Sequence, residues 1–320
     1  MIREEVRSMK KISMIVPCYN EEGNVELFYK DAVKTYKNSK DYEVELIFID
    51  DGSKDDTLKN LKKLIKKKDL KVKVISFSRN FGKESVIYAG LKKATGDYTV
   101  IIDADMQQPP HLTLNMAQIL DEGEFDCVCY YQKQRIESGL MSFVKRSFYK
   151  TMNKMANLDM KEGASDFRMF KTNVKEAILS LNEVRRFTKG IFSYVGFDTK
   201  YLPYTPEKRA TGESKWNPKG LLKYGITGIV SFSTAPLKIA TNVGFLMSTI
   251  SFIYLLVVLI QKLIFSIDIP GYATIIGLIL LIGGIELLCI GIIGEYLSNM
   301  YLEIKNRPIY IVKEELENDK

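Results

Sequence analysis

The chain has little of what builds a secreted or zinc-bound fold. Its four cysteines, Cys18, Cys127, Cys129 and Cys289, make no CxxC pair and no spaced framework, so neither a disulfide scaffold nor a thiolate metal site is expected. Cys127 and Cys129 alternate inside an apolar run, which sets both on one face of a sheet as buried, reduced thiols. A single histidine, His111, follows Pro109-Pro110 at a helix start; alone it cannot supply the ligands of a zinc site. Met1–Lys11 is charged and has no apolar h-region, so no cleaved signal peptide is expected and the globular part is expected to stay in the cytoplasm. No internal repeat and no low-complexity linker stands out.

Charge is present but unevenly spread. The net charge of +7 is modest. Lys62, Lys63, Lys66, Lys67 and Lys68 read as a solvated helix face rather than a nucleic-acid surface, so no nucleic-acid partner is expected. From Ile239 to Ile260 no charged residue occurs, and Ile269–Ile293 is interrupted only by Glu286. At about 1.5 Å per residue each run is long enough to cross a bilayer core. The short connector through Gln261, Lys262 and Ser266–Gly271 makes the pair a helical hairpin. Lys215, Lys219, Lys223 and Lys238 precede it, Lys305, Arg307 and Lys313 follow it, and Lys262 alone marks the far side. The positive-inside rule therefore places both termini in the cytoplasm. Glu286 reads as a helix-packing residue facing the partner helix or a neighbouring subunit, since a charge facing lipid is costly.

The first hundred residues alternate between strand and helix patterns. Ile12–Pro17, Glu45–Ile49, Val72–Phe77 and Tyr98–Ile102 read as strands, separated by helical stretches to about Asn38, over Thr57–Lys68 and over Lys83–Ala94. Such alternation predicts an α/β fold with a mostly parallel sheet covered on both faces. The polar clusters Pro17–Glu22, Asp50–Ser53 and Asp103–Gln107 all fall at strand carboxyl ends, where open α/β sheets bind ligands. Asp126–Tyr131 reads as a further strand, Gln132–Leu158 as basic, aromatic and helical, Gly163–Arg168 as a break, and Thr199–Trp216 as a Gly/Pro/Arg-rich loop. An amphipathic stretch, Leu221–Leu237, leads to the hairpin. The resulting division is a globular domain over residues 1–215, a juxtamembrane segment over 216–237, a hairpin over 238–296 with spans near 239–260 and 269–293, and a tail over 297–320. The acidic end of that tail, after Lys313, is expected to be mobile.

Asp103-Ala104-Asp105 is the central chemical feature. Two carboxylates one residue apart on a turn converge on a hard divalent cation such as Mg²⁺ or Mn²⁺, which prefers oxygen ligands and shares them with substrate phosphates. Surface turns are rich in aspartate, so the triplet gains its weight from the apolar strand before it and from Met106-Gln107-Gln108-Pro109-Pro110 after it. A cation there would act as a Lewis acid on a diphosphate leaving group.

The motifs together resemble the GT-A-fold family 2 glycosyltransferases, in the polyprenyl-phosphate branch that includes dolichyl-phosphate mannose synthase and bactoprenol glucosyltransferases. The matching stretches are Ile15–Glu22, Ile49–Asp55, Ser78–Glu84, Asp103–Pro110, Ser165–Arg168, Arg209–Trp216, and Gly294-Glu295-Tyr296 leading to Arg307–Tyr310. They cover nearly the whole chain in order. The resemblance implies a GT-A, Rossmann-like catalytic domain, an amphipathic juxtamembrane helix and a two-helix transmembrane hairpin. It implies that Pro17, Tyr19, Asn20, Glu22, Asp51 and Lys83 line the nucleotide pocket with Asp103, and that Asp50 supports its loop; the Asp50–Ser53 cluster also reads as a plain turn ahead of a helix cap near Asp56. Asp103, Asp105 and Gln107 are implied as metal ligands, Asp105 also as catalytic. Many bacterial relatives carry aspartate where this chain has Gln108.

Asp166 matches the acidic residue near the acceptor that is often assigned as a base. A phosphate acceptor is already ionised near neutral pH, so an orienting role ranks first and base action second; a loop aspartate capping a following turn is the plain structural alternative. Arg135, Arg209 and Lys215 are candidate phosphate clamps, because an anionic donor and an anionic acceptor must be brought together. The QxxRW motif of processive polysaccharide synthases is missing near Arg185-Arg186-Phe187, which argues against polymerisation. The expected reaction is inverting transfer from a nucleotide sugar, UDP-glucose or UDP-N-acetylglucosamine, to undecaprenyl phosphate for envelope decoration. The expected setting is a multi-pass protein of the bacterial plasma membrane, as a homo-oligomer (dimer or tetramer). The rivals are transfer to another lipid such as diacylglycerol, and an inactive membrane-anchored scaffold that binds nucleotide sugar.

Overall fold

Four apolar runs open the chain as strands β1 (Lys10–Cys18), β2 (Tyr42–Asp50), β3 (Lys71–Phe77) and β4 (Tyr98–Ile101). Between them lie helices α1 (Val25–Tyr36), α2 (Thr57–Ile65) and α3 (Lys83–Lys93). The computed structural model describes residues 9–132, 150, 153–156, 158–161, 163–205, 228–264 and 271–318. The strands are rich in Ile and Val and buried on both faces, as a parallel sheet under two helix layers requires. After β4 come α4 (Leu112–Asp121), β5 (Cys127–Gln132), β6 (Ala164–Lys171), α5 (Thr172–Ser180), α6 (Thr188–Val195) and β7 (Thr199–Tyr204). The chain then forms the long helices α7 (Ala235–Leu263) and α8 (Tyr272–Ile304) and ends in β8 (Val312–Glu317).

The eight strands form one sheet in the order β7-β5-β6-β4-β1-β2-β3-β8. β1 pairs in parallel with both β2 and β4, so the chain reverses its direction of travel across the sheet at β1/β4. A crevice for ligand opens at the carboxyl ends of such a pair. β6 runs antiparallel between β4 and β5, and β7 runs parallel to β5. One face of the sheet packs on α1, α2 and α4 through Phe28, Leu61 and Met116. The other packs on α3, α5 and α6 through Ile87, Ile178 and Ile191. Gly90 lets α3 close on β1: a Cβ there would stand 2.4 Å from Ile15.

Three expectations are corrected. Gly163–Arg168 is not a break, since Ala164–Lys171 is a strand in the middle of the sheet. Thr199–Tyr204, expected as loop, is the edge strand β7, which tolerates Pro203 because its outer side needs no donor. The acidic end after Lys313 is not a mobile tail: β8 pairs antiparallel with β3, and the Asn318 side chain accepts a hydrogen bond from the Val72 amide at 2.8 Å. Lys62, Lys93 and Lys71 face Glu314, Glu315 and Glu317 along this edge. Residues 133–149, which carry most of the basic aromatic stretch, lie outside the described residues, as do 206–227. Cys127 and Cys129 are buried as expected, and burial pushes the Cys127 thiol up to about 12.

Helices α7 and α8 are long and apolar enough to cross a membrane, and their apolar side chains stand exposed along the hairpin. Glu286 is exposed as well.

Candidate active site

Loops at the carboxyl ends of β1 and β2 are knitted together by side chains. Asn20 takes a left-handed backbone (φ 51°), its amide donates to Ser53 Oγ (2.9 Å), and its Oδ1 accepts from the Lys54 amide (2.9 Å). Glu22 accepts from the Asp56 amide at 2.9 Å. Asp50 is buried and holds its own turn, accepting from the Ser53 amide (3.0 Å) and from Ser76 Oγ (2.9 Å). Asp51 reaches across to the loop after β3, where its two carboxylate oxygens accept from the amides of Phe81 (2.6 Å) and Gly82 (2.9 Å). Burial pushes the Asp51 carboxyl above its ordinary value against those two amides. Gly52 must be glycine: its φ is +66°, and a Cβ would lie 2.6 Å from the Arg79 backbone. Pro17 and Tyr19 are half-buried beside these loops.

The β4–β6 ladder pairs Ile101 with Arg168. Continuing that antiparallel register by two residues sets Asp166 opposite Asp103, just past the end of the ladder. The ammonium of Lys83 lies between them, 2.7 Å and 3.0 Å from the two oxygens of Asp103 and 3.0 Å from Asp166 Oδ2. Lys83 opens α3, where the helix dipole disfavours a cation. The two carboxylates account for its placement. Burial would raise the Asp166 carboxyl, but Lys83, Lys189 and Arg168 together hold it well below the usual carboxylate range. Burial would likewise lower the Lys83 ammonium, and Asp103 and Asp166 raise it instead.

Asp105 follows on the same turn, accepting from the Gln107 amide at 3.1 Å, with Met106 between them in a left-handed conformation (φ 61°). Gln108 is buried, its Oε1 accepting from the Asp103 amide (3.4 Å) and its Nε2 donating to the Tyr204 hydroxyl (3.4 Å). Gln108 thus supports the Asp103–Asp105 turn from behind. Among the described residues no group of three His, Cys, Asp or Glu side chains stands together to hold a metal. Asp103, Asp105 and Gln107 instead offer a sparse set of hard oxygen donors. Such a set suits Mg²⁺ or Mn²⁺, which complete their shells with substrate phosphates and water.

Beyond Asp166 a second cleft opens, lined by Lys161, Arg168, Lys189, Ser193, Thr199 and Tyr201 among others. Arg168 is buried, donates to the Ser165 carbonyl (3.0 Å) and lies over the Phe192 ring, 4.1 Å from its centroid. Its Nε has no hydrogen-bond partner among the described residues. Lys161, Arg168 and Lys189 had no role assigned from sequence. Reading Ala164–Lys171 as a strand would have put Asp166 and Arg168 on one face, and α6 would then have brought Lys189 to it. Arg135, Arg209 and Lys215 lie outside the described residues.

A family model for glycosyl transferase family 2 matches residues 13–179, and a second, described as a GtrB C-terminal hairpin, matches residues 235–300. The chain belongs to glycosyl transferase family 2. It is 40% identical over 303 residues to the putative glycosyltransferase CsbB of Bacillus subtilis (strain 168), covering 95% of this chain and 91% of that one. It is 39% identical over 304 residues to the bactoprenol glucosyl transferase of Shigella phage SfII, covering 95% and 97%. A solved structure, the glucosyl-3-phosphoglycerate synthase of Mycobacterium tuberculosis with Mn²⁺ and UDP-glucose, is 17% identical with a TM-score of 0.46, covering 69% of this chain and 77% of that one; the likeness is too distant to assign chemistry. In this family 2 glycosyltransferase the loops after β1, β2 and β4 meet at the β1/β4 crevice, and the apolar hairpin associates the protein with a membrane.

Proposed function

We propose that the protein transfers a sugar from a UDP-sugar, UDP-glucose or UDP-N-acetylglucosamine, to undecaprenyl phosphate, with inversion at the anomeric carbon. The observation that carries the reading is the Asp103–Lys83–Asp166 arrangement, with a carboxylate turn on one side and a cleft bearing three cations on the other. The nucleotide side is formed by Pro17, Tyr19, Asn20, Glu22 and Asp51. The acceptor phosphate enters between Lys161, Arg168 and Lys189, with Arg135, Arg209 and Lys215 as further clamps. The names of the bactoprenol-acting relatives, alike over nearly their whole length, support the lipid phosphate as acceptor.

In the reaction an oxygen of the acceptor phosphate forms the bond to the anomeric carbon. The bond from that carbon to the β-phosphate oxygen breaks, and the electron pair leaves with UDP. Because the acceptor phosphate is already ionised, no proton must be removed for the bond to form. Asp166, held below the usual carboxylate range by its cationic neighbours, is a poor base and a good anchor. It keeps Lys83 in place and orients the acceptor. Asp103, Asp105 and Gln107 would hold Mg²⁺ or Mn²⁺, which when bound neutralises the diphosphate leaving group. The catalytic domain and both termini face the cytoplasm of a bacterial plasma membrane, consistent with the basic flanks Lys238, Lys305, Arg307 and Lys313. A homo-oligomer is part of the same reading.

The test is a panel of radiolabelled nucleotide sugars offered to purified protein with undecaprenyl phosphate, with and without Mn²⁺. Label should pass to undecaprenyl phosphate from one UDP-sugar and only with the cation. No transfer to undecaprenyl phosphate from any donor, or transfer only when diacylglycerol is supplied in its place, would reject the reading.

A further inference from the structure

Helix α8 is longer than a membrane span requires. Its 33 residues rise about 50 Å, against about 30 Å for a bilayer core. The surplus lies at its carboxyl end, where the apolar run gives way to Glu295, Asn299 and Glu303. These residues are four apart and so form one stripe on the helix.

That stripe meets the connection between α5 and α6. The Glu303 carboxylate accepts from the amides of Val184 (2.9 and 3.1 Å) and Arg185 (3.3 Å). The Arg185 guanidinium donates to Glu295 (3.4 Å) and to Asn299. From there the contacts run inward. Arg186 fills the carboxyl end of α5, donating to the carbonyls of Leu181 (2.7 Å) and Ile178 (3.1 Å), and lies over Tyr88 of α3. The Thr188 amide donates to Glu84 at 2.9 Å, and Glu84 directly follows Lys83. A chain of polar contacts thus joins the membrane-proximal stalk to the residues around Asp166. β8 ties the far side of the same stalk to β3.

We propose that Glu303 and Arg185 form a positioning latch that fixes the height and tilt of the catalytic cleft over the membrane, so that a phosphate at headgroup level enters it. The inference rests on the reading of a membrane-borne phosphate as acceptor. Glu303 and Arg185 are positioning residues, not catalytic ones. The latch therefore matters for an acceptor held in a bilayer, and not for one free in water that can approach at any height.

The experiment compares wild type, Glu303→Gln and Arg185→Glu on undecaprenyl phosphate in vesicles and on a short, water-soluble prenyl phosphate. UDP binding serves as a check on folding. On vesicles kcat/KM should fall about tenfold or more, while turnover of the soluble acceptor and UDP binding stay within about twofold of wild type. Adding Glu295→Arg to Arg185→Glu should restore vesicle activity by reversing the pair. An equal loss on both acceptors, or none on vesicles, would overturn the latch. Loss of UDP binding in Glu303→Gln passes the decision to the reversed pair, whose failure to restore activity also overturns it. A wild type that labels neither phosphate acceptor would instead sink the functional reading, and the latch with it.

Discussion

Asp166 faces Asp103 across the open end of the β4–β6 ladder, and a single ammonium, that of Lys83, lies 3.0 Å from the first and 2.7 Å from the second. The two carboxylates come from segments far apart in the chain, and without the cation they would repel. In the proposed reaction this arrangement stands between the nucleotide and the acceptor.

Replacing Lys83 with Met should therefore lower kcat by about two orders of magnitude, the scale for loss of one preorganised electrostatic group. The pH profile should move too. Asp166 has a depressed carboxyl in the wild type, so it stays ionised well into the acid range. In Lys83→Met its protonation moves to higher pH, and the acid limb of kcat/KM rises with it. A fall in rate with an unmoved acid limb would contradict the pairing.

The carboxylate turn makes a separate demand. Asp105→Asn should cost about a hundredfold or more in kcat and raise the Mn²⁺ needed for half-maximal rate, with thermal stability held. Gln107→Ala should show the same direction with a smaller effect. A metal titration at saturating UDP-sugar measures both.

On the acceptor side, Arg168→Lys and Lys189→Ala should raise KM for the lipid phosphate by about tenfold each, the scale of one lost charge-assisted contact. UDP binding by calorimetry should not change. Arg168→Lys is the safer test, since it keeps a buried charge while removing the planar fork over Phe192.

Away from the site, Glu45 lies fully buried in β2 with Lys11 (2.8 Å), Ser13 and Thr95 around it. Burial would raise its carboxyl; the partners outweigh this and bring it to about 2. A carboxyl depressed on folding adds stability that is complete above its unfolded value, 4.5, and fades as pH falls toward 2. Glu45→Ala should cost about 3 kcal/mol at neutral pH, as breaking a buried ion pair does. The wild-type protein should show an acid-unfolding limb in that window that Glu45→Ala lacks.

Much of this was legible in the chain itself. The strands up to Ile101 announce themselves because each is an apolar run stopped by a polar, glycine-bearing or aspartate turn, and those turns make up the candidate site. Ala164–Lys171 was hidden because two of the three alternating residues on its α6 side, Asp166 and Arg168, are charged and break the apolar signal that Phe170 alone keeps. β8 was hidden for the opposite reason. As an edge strand it is blunted with charge, and Val312-Lys313-Glu314-Glu315-Leu316-Glu317 reads as a solvated tail until Lys62, Lys71 and Lys93 are seen to meet it. Lys161 and Lys189 carried no motif of their own; only the packing of α6 and β7 beside β5 and β6 gathers them with Arg168 around one cleft.

The most direct test of the central claim is mass spectrometry of the lipid fraction after incubating purified protein with UDP-glucose or UDP-N-acetylglucosamine, undecaprenyl phosphate and Mn²⁺. Wild type should yield undecaprenyl phosphate heavier by one sugar residue, and Asp105→Asn should form it about a hundredfold more slowly. Unchanged undecaprenyl phosphate with either donor, beside a glycosylated diacylglycerol when that lipid is supplied in its place, would contradict it.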